Sequence, residues 1–152
     1  MLLLTVLGLA ASLWAADPVI GTWKLNIAKS RFSPGLGAAP KQQINIVREL
    51  PDQIEITVSG SRTDGSPISE KVTVPKEGGI LKYQQGGPAA GVTDFLTVIN
   101  PGDWIFTGMQ SGRQVYTVRV VVSKDGKTAN ETTRGVDAKG RPFEQLQVFD
   151  RQ

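Results

Sequence analysis

"VIGTWKLNIAKSRFSPG" runs from Val19 to Gly35 and sets a glycine two residues ahead of a tryptophan, followed by a regular alternation of residue type. Side chains in a strand point to opposite faces in turn, so Trp23, Leu25 and Ile27 share one face while Thr22, Lys24 and Asn26 share the other. The stretch therefore predicts a first strand over Ile20 to Ile27 whose inner face carries an indole. Downstream, Pro34 and Gly35 would end the one short helical turn that Ala28 to Phe32 allows.

The remainder of the chain repeats this pattern. Turn residues recur roughly every 8 to 12 positions, and the intervals between them alternate apolar with polar. A second strand over Gln43 to Leu50 puts Ile44 and Ile46 inward, and Pro51-Asp52 turns into a third with Ile54, Ile56 and Val58 inward. Asp64-Gly65 is a hairpin signal, because both residues tolerate the positive φ of tight turns. Further strands are expected over Ile68 to Val74, up to Gln84, Val92 to Ile99, Trp104 to Met109, Gln114 to Val122, Thr128 to Val136 and Pro142 to Asp150. "QGGPAAG", Gln85 to Gly91, is expected as an open loop.

Strands in this number, joined by short turns, suit either a sandwich or a barrel. Sequential hairpins place each strand beside the next, and closing the sheet removes its two exposed edges, so the barrel is favoured. The expected fold is all-β: a single antiparallel up-and-down β-barrel of about eight to ten strands. At 152 residues the chain is the size of one domain, with 39% hydrophobic and 20% charged residues, a globular composition.

Gly21-Thr22-Trp23 on the first strand resembles the G-x-W signature of lipocalins and, more loosely, the wider calycin group that includes fatty-acid-binding proteins. "GTWKLNIAKSRFSPG" is also similar to the start of a group of uncharacterised, exported bacterial lipocalin-like proteins. The resemblance implies that Trp23 plugs the closed end of the barrel beneath an Arg from near the last strand, either Arg141 or Arg151. It differs from the fatty-acid-binding branch in that Ala28 to Lys41 has no pair of lid helices.

Met1 to Trp14 is almost wholly apolar, and Ala15 and Ala16 then lead to Asp17 and Pro18, the order of a secretory signal and its cleavage site. About 15 apolar residues are fewer than the roughly 20 that a spanning helix needs. We expect a signal peptide over residues 1–16, a lipocalin-like barrel over 17–152, and a periplasmic or extracellular bacterial location. The lack of cysteine suits a bacterial envelope better than a disulfide-stapled secreted scaffold. A membrane barrel needs an apolar outer face, whereas Lys24, Asn26, Glu49, Glu55, Lys71 and Thr73 fall on the outward set here. The net charge of +3 is mild and its Lys and Arg are scattered, which argues against a nucleic-acid partner.

With neither His nor Cys in the chain, the usual nucleophile and base pairs and imidazole or thiolate metal sites are excluded. No cofactor, metal or catalytic residue is assigned. Glu70, Asp94 and Glu131 lie mid-strand, and their expected place is the solvated face or a rim. Placed inside, Glu70 or Glu131 would serve as base of a carboxylate enzyme. Arg119 is expected outside, and Arg134 is left open between the two faces.

The leading expectation is a barrel that binds a small hydrophobic or amphipathic molecule in its interior, with Tyr83, Trp104, Phe106, Tyr116, Val118 and Arg134 as ligand-binding candidates. An interior without a cavity of about 300 Å³ would end that reading. The alternative is a module that binds an envelope protein or polysaccharide on its outer face or rim.

Overall fold

The computed structural model describes residues 16–137 and 139–152, so the expected signal, apart from Ala16, lies outside the described residues. The strands are β1 (Gly21–Leu25), β2 (Pro40–Glu49), β3 (Gln53–Arg62), β4 (Pro67–Pro75), β5 (Gly79–Ile80), β6 (Lys82–Gln85), β7 (Val92–Asn100), β8 (Asp103–Gln110), β9 (Arg113–Val122), β10 (Thr128–Val136) and β11 (Pro142–Arg151). All pair antiparallel in one sheet of 11 strands, in the order β5-β7-β8-β9-β10-β11-β1-β2-β3-β4-β6. This is the expected up-and-down meander, and it forms a nearly closed barrel rather than a sandwich.

The strand count exceeds the expected range because the fifth strand is split. β5 pairs with β7, and the Leu81 N–H still donates to the Asp94 carbonyl at 2.9 Å. The chain then steps across, and β6 pairs with β4. One short stretch thus divides its hydrogen bonds between the two margins of the sheet. The buried Leu81 side chain fills the seam between them.

Two side-chain assignments differ from expectation. Ile44 and Ile46 face outward, and Gln43 and Val47 are the buried residues of β2. Residues directly opposite each other in a ladder share a face, and Trp23 pairs with Asn45 while Gly21 pairs with Val47. An inward Trp23 therefore forces the odd-numbered residues of β2 inward. Ile27 also fails to join the inner face: β1 stops at Leu25, and Ile27 lies 42% exposed in a short 3-10 turn over Ile27–Lys29. Asn26 ends the strand there. Its side chain accepts from the Lys29 N–H at 3.1 Å and donates to Asp150 at 2.6 Å.

One end of the barrel is sealed. The Trp23 ring is buried, its Nε1–H donates to the Val19 carbonyl at 2.9 Å, and the Arg151 guanidinium lies 4.1 Å over its centroid. Arg151 also donates to the carbonyls of Ile20 (2.9 Å), Pro18 (2.5 Å) and Gly126 (2.6 Å). Of the two arginines considered, Arg151 is the one on Trp23. Arg141 sits at the opposite end and pairs with Asp137. Gly21 explains the motif's first letter: its φ is +145°, and a Cβ there would run into the Arg151 guanidinium.

Asp17 completes the seal. It accepts from the N–H groups of Val19 (2.9 Å) and Gly102 (3.1 Å) and from Trp104 Nε1 (3.1 Å). Above this end lies the apolar core, in which Trp104, Phe149 and Val74 are the largest fully buried side chains. Burial of each contributes roughly 1.5–3 kcal/mol. The outer face carries ion pairs such as Lys71–Glu55 at 2.9 Å beside exposed apolar residues such as Ile44, Val121 and Val136.

Candidate functional site

Above the apolar core the barrel encloses a cavity of about 390 Å³. Its floor is made by Trp23, Trp104, Val120 and Phe149, and its walls carry Val47, Ile56, Val72 and Val118. Phe106 stands edge-on to Trp104, with centroids 6.4 Å apart and ring planes at 65°. Toward the other end the lining turns polar. Its mouth is bordered by Phe32, Ser33 and the stretch from Leu36 to Ala39 between β1 and β2, where Pro34–Leu36 forms a second 3-10 turn instead of ending the helical structure, and by Gly87 and Pro88 of the Gln85 to Gly91 loop.

Five of the six expected ligand-binding residues come together here: Tyr83, Trp104, Phe106, Tyr116 and Val118 all line the cavity. Arg134 does not. Its side chain is 67% exposed and pairs with Glu144 at 2.5 Å on the outer face. Its ladder partner explains this placement: Arg134 lies opposite Glu144, and the neighbouring Thr133 is the buried residue. Arg119 is outside as expected, held by Asp103 through two bonds of 3.0 and 2.7 Å.

The carboxylates overturn an expectation. Glu70, Asp94 and Glu131 all line the cavity instead of facing solvent. Strand parity dictates this: Glu70 shares its face with Ile68, Val72 and Val74, and Asp94 shares its face with Leu96, all of them buried. Gln43, Asn45, Gln145 and Gln147 also line the cavity, and sequence reasoning does not single them out.

Asp94 is the best-supported polar group inside. Tyr83 Oη donates to one of its carboxylate oxygens at 2.6 Å and Tyr116 Oη to the other at 2.5 Å. Gly108 makes the second bond possible. Asp94, Gly108 and Tyr116 form one row across β7, β8 and β9, and a Cβ on Gly108 would collide with the Tyr116 ring. The missing side chain lets the phenol cross β8 to reach the carboxylate. The Tyr83–Asp94 bond also spans the open side of the sheet between β6 and β7, where no ladder runs.

Burial, then the bond to Asp94, holds both phenols well above the ordinary tyrosine range, so they act as donors at any physiological pH. Burial pushes the Glu131 carboxyl up to about 7, and the nearby charge of Glu70 adds to the effect. Glu70 is raised by burial, opposed by Arg62 and reinforced by Asp94. A carboxyl that exchanges its proton near neutrality is chemically able to act as an acid, a base or an acceptor for a ligand. Among the described residues, no group of three His, Cys, Asp or Glu side chains is placed to hold a metal ion.

No family model matches the chain, and no curated protein matches it in sequence. Solved structures do share its shape. The zebrafish ileal bile acid-binding protein, in complex with cholic acid, superposes with a TM-score of 0.56 at 11% identity, covering 89% of this chain and 99% of that one. The siderocalin Ex-FABP has a TM-score of 0.43 at 13% identity, covering 89% of this chain and 71% of that one. A de novo designed fluorescence-activating β-barrel has a TM-score of 0.42 at 19% identity, covering 88% and 93%. At these identities the first of them establishes a calycin-like fold and nothing further.

Proposed function

We propose that this chain is exported into the envelope of a bacterium, or beyond it, and holds one small amphipathic molecule inside its barrel. The observation that carries the reading is the cavity of about 390 Å³, apolar at its floor and polar near its mouth. Small-molecule sites usually span roughly 300–1,000 Å³ and are apolar with a few placed polar groups. In the zebrafish protein of the same fold the bound molecule is cholic acid, itself amphipathic, which is in keeping with the reading. The sealed end, built from Trp23, Arg151 and Asp17, supports a single opening at the strap between β1 and β2.

Native mass spectrometry of protein isolated from its own host tests this directly. The expected result is a mature chain beginning at Asp17 that carries one adduct of a few hundred daltons. Bare protein, together with no thermal stabilisation by any neutral, cationic or anionic amphiphile, would overturn the interior-binding reading. Recovery only from the cytoplasm with residues 1–16 intact would overturn the export.

A further inference from the structure

We infer that the cavity prefers an amphiphile with a positively charged, hydrogen-bond-donating head, such as an alkylammonium, over one that ends in a carboxylate. This rests on the interior-binding reading above. The lining holds three carboxylates, Glu70, Asp94 and Glu131, against one cation, Arg62. The mid-strand arginines Arg119 and Arg134 are both turned outward and engaged by Asp103 and Glu144.

The three carboxylates are not equivalent. Asp94 already accepts from two phenols, one on each oxygen. Glu131 accepts no hydrogen bond from a side chain among the described residues, and neither does Glu70. They rise from β10 and β4, which stand on opposite walls of the ring. Both therefore offer free acceptors across the same space. Glu131 pairs in register with Val120 and Gln147, two residues along β10 from the Ala129–Phe149 pair, so it borders the apolar floor. An alkyl tail packed along that apolar lining, with its head turned toward β10 or β4, would set the head beside these acceptors. A carboxylate head would meet like charge and acceptors, whereas an ammonium would satisfy both.

Protonation behaviour gives an independent readout. A cation beside Glu131 favours its ionised form, so an amine binding near pH 7 should expel protons from the site. The groups that face Glu131 across the cavity are Glu70, Asp94, Tyr83, Tyr116 and Arg62. Of these, only Glu70 contributes to the raised value of Glu131.

Decylamine, decan-1-ol and decanoic acid share one tail and differ only in the head, so calorimetric titration of each into the apo protein at pH 8 isolates the preference. The expected order is amine, then alcohol, then acid, with at least tenfold between the first and last. At pH 7 the amine's apparent heat should differ between phosphate and Tris buffers by the ionisation of the released protons. Glu131→Gln or Glu70→Gln should cut the amine-to-alcohol affinity ratio severalfold. Acid binding as tight as amine, while the alcohol binds, would overturn the inference and leave interior binding standing. An unchanged ratio in both variants would do the same. Binding by none of the three would overturn the inference, and would end interior binding as well only if the native protein is also bare.

Discussion

Glu131→Gln should change how the stability of this barrel depends on pH, and the sign follows from the site. The Glu131 carboxyl loses its proton near 4.5 when free of the fold and near 7 within it. Because the folded value is the higher one, the group's contribution to stability is complete below pH 4.5 and is lost as pH rises through 7. At about 1.4 kcal/mol per pH unit the interval corresponds to about 3 kcal/mol. The carboxyl faces a cavity rather than close-packed core, so water inside it lowers the effect to about 2 kcal/mol. The amide of the variant keeps the shape and an acceptor but does not ionise. Urea unfolding of the ligand-free wild type and variant, at fixed ionic strength from about pH 4.5 to 8.5, measures the difference. The variant should be close to the wild type in stability at the acid end and more stable by about 2 kcal/mol at the alkaline end. Glu70 is present in both proteins, so most of its contribution cancels. Parallel profiles, with a difference that moves by less than about 0.5 kcal/mol, would refute the inward placement of Glu131.

Other substitutions separate the parts of the fold. Arg151→Gln removes the cation over Trp23 and bonds to three carbonyls, and should cost about 2–4 kcal/mol in urea unfolding, whereas Arg141→Gln at the far end should cost under about 0.5 kcal/mol. Gly21→Ala should cost about 2–3 kcal/mol, since the +145° φ and the Arg151 contact both oppose a Cβ; equal stability would disprove the close approach. Gly108→Val should push the Tyr116 phenol off Asp94 and return its ionisation toward the ordinary 10.0, and an absorbance titration in the near ultraviolet reads this as one tyrosine ionising before unfolding. Shortening a bound alcohol from decanol to octanol should weaken binding by about 1.6 kcal/mol, or about fifteenfold, if the tail lies on the apolar floor.

Much of the architecture is legible one strand's worth of residues at a time. Alternation from Ile54 to Val58 and from Ile68 to Val74 places both strands and their inner faces, because a half-buried strand writes its burial into every second residue. The same rule, applied to Glu70, puts it inside, since its neighbours at 68, 72 and 74 are buried. The competing rule, that an isolated carboxylate is costly to bury, sends it to solvent, and in the sequence that rule prevails. The fold offsets the cost by keeping the group beside an open cavity and by raising its proton affinity.

Strand β2 marks the boundary between the two kinds of information. Taken alone, Ile44 and Ile46 are the apolar pair and belong inside. Cross-strand pairing with Trp23 turns them out and brings Gln43 and Asn45 in. The choice of Arg151 over Arg141, the outward turn of Arg134, and the meeting of Tyr83 with Tyr116 on one carboxylate have the same origin. The linear chain determined the strands and the turns, because those depend on neighbours within a few residues. Which face turned inward in a strand such as β2, and which distant groups then met, depended on registers set only when the ring of strands came together.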